Sequence, residues 1–331
     1  MSIDARNHDD AETYDERDGS TGGGASEGGD DGPNSPISRW ADDWLRHPEK
    51  AYAVMTVFLG GVLLTTSLFP LYWLFVVAMA PPGQTNIPLI PTTIDLSAFV
   101  VIFQKVPFAR FMFNSLFYAT TVTIVVLLIG SLAGYAFGRL EFRGKTPLLF
   151  SLLVLSFFPP ATLFLPLFRA FNQQVEMLGL FMLPVEIYGT PGAVIAPLSA
   201  FTMPLAIFIL TTFYSQIPDG LEDAARVEGT TRLGALFRVI MPLSAPGVAT
   251  AGILTFITVY TEFFFSYLMT GNSAAEWAPV VNGVLAFQSQ YTTRYDLQAA
   301  ASLVAIIPVA ILVVFAQEKI ISGLTQGALK E

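Results

Sequence analysis

Six long segments with almost no charged residues run through this chain of 331 residues and limit the folds open to it. They lie at about residues 51–80, 113–137, 146–167, 188–214, 247–269 and 297–317. A helix needs about 20 apolar residues to cross the hydrocarbon core of a bilayer, and each segment reaches that length. Because lipid satisfies no backbone hydrogen bond, such segments cross as helices. The sequence therefore predicts an all-α membrane protein with six transmembrane helices in a domain of residues 51–331.

A polar stretch at residues 219–242 separates the fourth and fifth apolar segments. Asp219 precedes Glu222 by three residues, which is the spacing of a capping box at the start of a helix. Gly229 is suited to the left-handed conformation that often ends a helix. These residues predict a short helix between Asp219 and Gly229.

A second helix is predicted in the same stretch. Thr230 or Thr231 caps its start, and Leu233, Leu236, Phe237 and Ile240 follow along one side. Pro242 and Pro246 are expected to stop it. The whole stretch is predicted to form an amphipathic helix–Gly–helix hairpin that is too polar to cross the membrane.

Lysines and arginines beside the apolar segments predict the orientation, because short loops rich in these residues stay cytoplasmic. With a cytoplasmic N-terminus, eleven of them flank the segments on the inner side and four on the outer side. The inner residues are Arg39, Arg46, Lys50, Arg139, Arg143, Lys145, Arg226, Arg232, Arg238, Lys319 and Lys330. Both termini and the hairpin are therefore predicted to lie in the cytoplasm, where ATP is.

Residues 1–50 form an acidic tail. Thirteen of the 26 acidic residues lie there against five Lys or Arg, so the tail carries −8 of the net charge of −9. Its Gly- and Ser-rich composition cannot bury a hydrophobic core, which predicts disorder. A short interfacial helix is a candidate at residues 37–50, where Trp40 and Trp44 share one face.

No constellation for catalysis or for a cofactor is present in the sequence. Cysteine is absent, and the two histidines, His8 and His47, precede the first apolar segment. A thiolate or imidazole metal site inside the membrane is therefore excluded. No Gly-rich loop ends in Gly-Lys-Ser/Thr, so the chain is not expected to hold ATP. The sequence has no basic patch of the kind that binds nucleic acid. The prediction is a non-enzymatic protein of the lipid bilayer, with no cofactor and no metal.

Two polar residues are candidates for a transport pathway. Glu262 lies inside the fifth segment, where a charge costs about 2.5–3.5 kcal/mol on insertion scales, so that a pathway role is one hypothesis. The alternative is that Glu262 caps a kink. Asn114, at the start of the second segment, is either a pathway residue or a helix cap. Hydroxyls such as those of Thr123, Ser151 and Thr202 either line a path or bond their own helix.

Prolines inside the apolar segments favour a transporter over a simple anchor. Proline removes a backbone donor and bends a helix, and bent helices leave room for a cavity between them. These prolines are Pro159, Pro160, Pro197, Pro204 and Pro308.

One spacing inside the hairpin is specific. It consists of Asp223, Ala224 and Ala225, then Gly229, and finally Val239, Met241 and Pro242. This pattern resembles the EAA loop of ATP-binding-cassette (ABC) importer permeases. Asp223 stands where that family usually has Glu, and Glu222 is beside it, so both acids are candidates to meet the partner.

The flanking segments carry the same resemblance over about residues 51–331. FPLYWLFVVAMAPP in the first span, NSLFYATTVTIVVLLIGSLAGYAFGRLEFRGK in the second and FFPPATLFLPLFRAFNQ in the third resemble permeases of maltose-type sugar importers, specifically the six-span partner subunit. The ending QEKIISGLTQGALKE matches that family at Gly323, Leu324, Thr325 and Gly327.

The resemblance implies a permease subunit in the plasma membrane. It implies four kinds of contact: a second homologous permease, two ABC ATPase subunits, an extracellular solute-binding protein, and the bilayer. By resemblance, the hairpin docks on an ATPase through Glu222, Asp223, Ala224, Ala225, Gly229 and Pro242. The C-terminal residues named above would reach between the ATPase subunits.

A sugar or oligosaccharide is the solute class that the flanking resemblance favours. Permeases for peptides, polyamines or phosphate share the EAA loop and remain alternatives. An ion-coupled secondary transporter is a further alternative, which would need ion ligands or a proton relay at the membrane midplane.

Overall fold

The computed structural model describes residues 48–84, 86–91, 93–172, 176–177, 181–182, 187–271, 273–289 and 293–328. The acidic tail up to residue 47, and with it most of the candidate interfacial helix at residues 37–50, lies outside the described residues. The chain divides into two units, Met1–Thr66 and Ser67–Glu331.

The described residues are mostly helical. The helices are α1 (Pro48–Ala78), α2 (Ser97–Lys105), α3 (Phe108–Arg139), α4 (Lys145–Ser156), α5 (Phe164–Asn172), α6 (Pro191–Tyr214), α7 (Asp219–Val227), α8 (Arg232–Leu243), α9 (Ala245–Tyr260), α10 (Phe264–Leu268), α11 (Val280–Leu285) and α12 (Tyr295–Ala328). Short 3-10 turns form at Pro160–Leu163 and Ala274–Glu276. β1 (Glu176–Met177) and β2 (Phe181–Met182) pair antiparallel, with Glu176 opposite Met182.

The first unit is described from Pro48 to Thr66, which is the first part of α1. Its side chains from Tyr52 onward are exposed, and most of them are apolar. Such a surface is unfavourable in water but is solvated by lipid in a bilayer, so this part of α1 has the composition of a lipid-facing span.

Four helices in the described part of the chain are long and apolar enough to cross a membrane: Tyr52–Ala78, Phe108–Arg139, Pro191–Tyr214 and Tyr295–Gln317. Two further pairs pass the same test together, Lys145–Ser156 with Pro160–Phe171 and Arg232–Leu243 with Ala245–Tyr260. The span count is therefore four, or up to six if each bent pair is one span. The predicted all-α membrane fold is confirmed.

The predicted third span, residues 146–167, is not one continuous helix. α4 ends at Ser156, and the chain bends by 87° before it continues through the 3-10 turn into α5. Pro159 and Pro160 explain the break, because neither has an N–H for the helical ladder and the residue before a proline avoids the helical conformation. α6, in contrast, continues through both Pro197 and Pro204.

The core of the second unit is built on the pairing of α3 with α6. Gly130, Gly134 and Gly138 recur at four-residue steps on α3 and face Leu210 and Thr211 of α6. A Cβ atom at Gly134 would lie 2.8 Å from the Cβ of Leu210 and 3.3 Å from the backbone nitrogen of Thr211. Small residues at this spacing let two membrane helices approach closely. This glycine spacing is visible in the sequence, but no contact was predicted from it.

We expect Gly134→Ala to destabilise the protein, because the added methyl meets the Cβ of Leu210 and backbone atoms of α6, which cannot move aside as the end of a flexible side chain can. Overpacking of this kind costs about 1–3 kcal/mol. Gly60→Ala is the matched control, since nothing lies within 4 Å of that position in α1. Thermal denaturation of both variants in the same detergent measures the difference, and equal melting temperatures would contradict the close-packed interface.

Candidate functional site

The first helix of the hairpin, α7, ends in a Schellman motif. The N–H of Thr230 donates to the carbonyl of Ala225 and the N–H of Gly229 to that of Arg226, each at 3.0 Å. Gly229 has φ = 91°, the left-handed conformation that this motif requires. The helix–Gly–helix prediction is therefore confirmed at its central residue.

The predicted capping box at the start of α7 is not formed. Pro218 occupies the N-cap position, and no side chain there accepts a hydrogen bond from the first turn. Glu222 is buried and bonds to another helix instead of reaching back to the N-cap. The prediction was wrong because the carboxylate of Glu222 bonds to Tyr135 and Arg139 of α3 and is therefore not available to the N-cap.

The second helix of the hairpin, α8, begins at the cap that the sequence indicated. Thr231 accepts a hydrogen bond from the N–H of Gly234 through its Oγ1 at 3.1 Å. Pro242 does not stop this helix, contrary to expectation, and α8 ends one residue later at Leu243. The preceding turn, Leu236–Ile240, is a π-helix, whose changed hydrogen-bond register accommodates a residue without an N–H. The chain then bends by 86° into α9, with Pro246 in its first turn.

Arg139, the last residue of α3, joins the hairpin to that helix. Its Nε donates to Oε2 of Glu222 at 3.1 Å, and its Nη1 lies 2.8 Å from Oδ1 of Asp219. The same Nη1 donates to the carbonyl of Ile217 at 2.5 Å. The hydroxyl of Tyr135, one turn earlier on α3, donates to Oε1 of Glu222 at 2.6 Å. Arg139 was counted among the inner-side charges from the sequence, but this role was not predicted for it.

The central ion pair of this network is almost inaccessible to solvent, whereas the side chain of Asp219 is 92% exposed. The side chain of Arg139 is 4% exposed and that of Glu222 is 11% exposed. A buried charge is tolerated only when it is paired and hydrogen-bonded, and removal of one partner from such a pair costs about 3–5 kcal/mol. The network therefore fixes the start of α7 against the end of α3.

The opposite face of the hairpin is open and partly apolar. The side chain of Asp223 is 70% exposed, and its recorded ionic contact is to Arg226 at 3.7 Å. Val227 is 89% exposed, and Leu233 is also exposed. Ala224 is exposed and Ala225 partly so, which leaves a surface of small side chains between the larger ones. This is the chemistry of a surface that a partner covers.

The two neighbouring acids of the predicted coupling set point in different directions. Glu222 faces the interior and uses both carboxylate oxygens there. Asp223 faces outward. The structure therefore offers Asp223, and not Glu222, for direct contact with another chain.

Asn114 fastens a distant segment to α3. It lies inside that helix rather than at its start, and it is buried. Its Nδ2 donates to the carbonyls of Ala274 and Ala278 at 3.0 and 2.8 Å. Ser115 accepts from the N–H of Val280 at 2.8 Å. Asn114 is therefore not the predicted helix cap, and its donors are used within the protein.

Glu262 lies at a break in the predicted fifth span, residues 247–269. α9 ends at Tyr260 and α10 begins at Phe264. The carboxylate of Glu262 accepts hydrogen bonds from the N–H groups of Phe265 and Ser266 at 2.8 and 3.0 Å, and from the hydroxyl of Ser266 at 2.8 Å. This geometry favours the alternative of a capped kink, because the acid satisfies donors that would otherwise be unpaired.

A groove of about 770 Å³ opens between α6 and the bent α4–α5 pair. Pro197 and Pro204 lie in its wall, in agreement with the expectation that proline-containing spans leave a cavity, and its lining is almost entirely apolar. The hydroxyls of Thr123, Ser151 and Thr202 each donate to a carbonyl four residues earlier in their own helix.

The last turns of α12 contain the predicted C-terminal contact residues Gly323, Leu324, Thr325 and Gly327. The side chains in these turns lie outside the described residues.

The sequence profile of the family "Binding-protein-dependent transport system inner membrane component" matches residues 126–320, which include the hairpin, α6 and most of α12. The chain belongs to this family. It is a multi-pass component of the plasma membrane, as predicted from the resemblance.

Individual relatives agree with the family assignment. The sulfoquinovosyl glycerol transport system permease SmoH of Agrobacterium fabrum is 35% identical over 82% of this chain and 92% of its own length. The trehalose transport system permease SugB of Mycobacterium tuberculosis is 34% identical over 80% of this chain and 93% of its own length. The trehalose/maltose transport system permease MalG of Thermococcus litoralis is 33% identical over 85% and 99%.

Comparison with solved structures supports the same fold. A bacterial ABC transporter involved in the import of the acidic polysaccharide alginate contains a chain that superposes with a TM-score of 0.67. The two chains are 19% identical, and the match covers 82% of this chain and 97% of the other. The helical arrangement is therefore that of an ABC importer permease.

Gly229→Val tests the turn of the hairpin. A β-branched residue in the left-handed conformation costs about 1–2 kcal/mol, so we expect α7 and α8 to lose their relative orientation and transport to fall strongly. Gly220→Val is the control, because that glycine in α7 has open space and no positive φ. Western blotting of membranes confirms insertion, and full transport by Gly229→Val would contradict a role for the turn.

Glu262→Ala separates the two hypotheses for that residue. Loss of the cap leaves the N–H groups of Phe265 and Ser266 unpaired, and we expect a loss of stability of about 1 kcal/mol. Because Glu262 bonds to Phe265 and Ser266 of α10 and not to the hairpin, co-purification of partner chains should be unchanged. A thermal shift assay measures the first effect. An unchanged melting temperature together with lost transport would favour the pathway role instead.

Proposed function

We propose that this chain is a transmembrane permease subunit of an ATP-driven importer for a sugar or an oligosaccharide. The observation that carries the proposal is the hairpin at residues 219–242, which is fastened to α3 by buried charges and exposes a partly apolar face. A partner that pushes on this face would move α3 with it. The sugar class is supported by the relatives, since SugB and MalG are permeases of trehalose and of trehalose/maltose systems.

The proposed assembly has four further chains. These are a second homologous permease, two ABC ATPase subunits and an extracellular solute-binding protein. The family description, which specifies binding-protein-dependent transport, supports the last of these. ATP hydrolysis belongs to the partner chains, and this chain is not an enzyme. Asp223, Ala224, Ala225, Gly229 and Pro242 form the proposed docking face or its turn.

The proposed orientation has both termini and the hairpin in the cytoplasm. It rests on the excess of Lys and Arg on that side. The C-terminal residues Gly323, Leu324, Thr325 and Gly327 then lie on the ATPase side, as the proposed assembly requires. In this proposal, the acidic tail at residues 1–50 precedes the permease domain of residues 51–331.

Transport follows from alternating access. Closure of the ATPase pair on ATP pushes the hairpin, and the spans reorient so that the pathway opens outward and receives solute from the binding protein. Return to the inward-facing state releases the solute. A permease for another solute class would use the same hairpin. An ion-coupled transporter would need a free acid at membrane depth, and Glu262 already accepts three hydrogen bonds.

Reconstitution into liposomes tests this proposal. We expect uptake of a radiolabelled disaccharide only when the second permease, the ATPase pair, the solute-binding protein and ATP are all present. Omission of ATP is the control for leak. Uphill uptake by this chain alone on a proton or sodium gradient would contradict the proposal. Uptake of a peptide or polyamine in place of a sugar would overturn only the assignment of the solute class.

A further inference from the structure

We propose that Glu222 and Arg139 are positioning residues that make α7 and the end of α3 move as one body, so that Glu222 is not available for an ATPase contact, whereas the neighbouring Asp223 is exposed. This inference rests on the proposed function, because it assigns roles within the same hairpin. Glu222 bonds inside the protein to α3, whereas the adjacent Asp223 faces outward.

The bonds that attach the start of α7 to α3 converge on the guanidinium of Arg139. Arg139 binds the carboxylates of Asp219 and Glu222 and the carbonyl of Ile217, so that it holds the residues just before and within the first turn of α7. The planar fork of Arg fixes direction as well as distance. A tilt of α7 relative to α3 would break these bonds and leave a buried cation without partners.

Glu222 is poorly accessible to an external partner, because its side chain is only 11% exposed and each of its carboxylate oxygens already accepts a hydrogen bond from α3. Its Oε1 accepts from Tyr135 at 2.6 Å and its Oε2 from Arg139 at 3.1 Å. Both donors belong to α3 and lie one helical turn apart, which fixes the rotation of the carboxylate. An ATPase residue would have to displace these bonds inside a nearly closed site.

Asp223 differs from Glu222 in both exposure and bonding. This side chain is 70% exposed, and Arg226, its recorded ionic contact at 3.7 Å, lies on the same short helix. Such an exposed pair holds its members weakly, so the carboxylate can change partner at little cost. Adjacent positions on a helix point in directions about 100° apart, which allows one acid to face inward while its neighbour faces outward.

The absence of cysteine from the chain permits a direct test by spin labelling. Labels at Val227→Cys on the hairpin and Glu141→Cys just after α3 occupy side chains that are exposed. The distance between them is measured by pulsed electron resonance on the full chain in lipid nanodiscs. We compare the otherwise unchanged chain with Glu222→Gln and with Asp223→Asn, which removes the neighbouring charge.

We expect a single narrow distance distribution in the unchanged chain and in Asp223→Asn, and a broadened one in Glu222→Gln. In the unlabelled importer, Glu222→Gln should keep the ATPase bound while solute transported per ATP falls at least about tenfold, because the loss of one partner from the buried ion pair weakens the attachment by more than that factor. Asp223→Asn should show the reverse pattern, with weaker ATPase co-purification. A narrow distribution in Glu222→Gln, or loss of the ATPase by that variant alone, would overturn the proposal.

Tyr135→Phe keeps the test decisive if Glu222→Gln does not fold. It removes one hydrogen bond to Glu222 and leaves the ion pair with Arg139, so we expect smaller broadening with normal expression. An unchanged distribution in this folded variant would count against the positioning role. The distance measurement needs no partner chain. A broadened distribution in Glu222→Gln would support the attachment of α7 to α3. If the unchanged chain bound no ATPase, that second result would refute the proposed function and leave the attachment standing.

Discussion

A buried guanidinium at the end of α3 determines how the polar part of this membrane protein is arranged. Arg139 is almost fully enclosed, and a cation in such a place requires carboxylates and carbonyls around it. Asp219, Glu222 and the Ile217 carbonyl meet that requirement, and all three belong to the segment that follows α6. The position of the hairpin is thus a consequence of neutralising one charge. Its exposed face is what remains after the inward-facing side chains have bonded to α3.

Local sequence rules predicted the parts of the hairpin that depend on local geometry. Gly229 has the left-handed conformation and Thr231 caps α8, because both properties arise within a few residues. The same rules failed at Glu222. Its spacing from Asp219 fits a capping box, but the carboxylate bonds to Arg139, which lies 83 residues earlier in the chain. A long-range partner cannot be read from spacing, and the sequence therefore left open which acid faces outward.

Prolines show the same division between local and tertiary control. Pro159 and Pro160 break the third span, whereas Pro197 and Pro204 lie inside the continuous helix α6 and Pro242 inside α8. Two adjacent prolines remove two donors at one place, which a single helix does not absorb. A single proline is tolerated when neighbouring groups or a π-turn, such as Leu236–Ile240, adjust the hydrogen-bond register. The number of apolar segments was thus predictable from sequence, but their continuity was not.

α3 carries attachments at both of its ends, and their separation has a consequence for coupling. Asn114 and Ser115 hold the segment at residues 274–280, while Tyr135 and Arg139 hold the hairpin. About 25 residues separate Asn114 from Arg139, which corresponds to roughly 38 Å along a helix. A hydrocarbon core is about 30 Å thick, so the two attachments are far enough apart for α3 to cross it between them. Because α3 also packs closely on α6 through Gly130, Gly134 and Gly138, the proposed displacement of the hairpin would act on a two-helix unit rather than on a single flexible span.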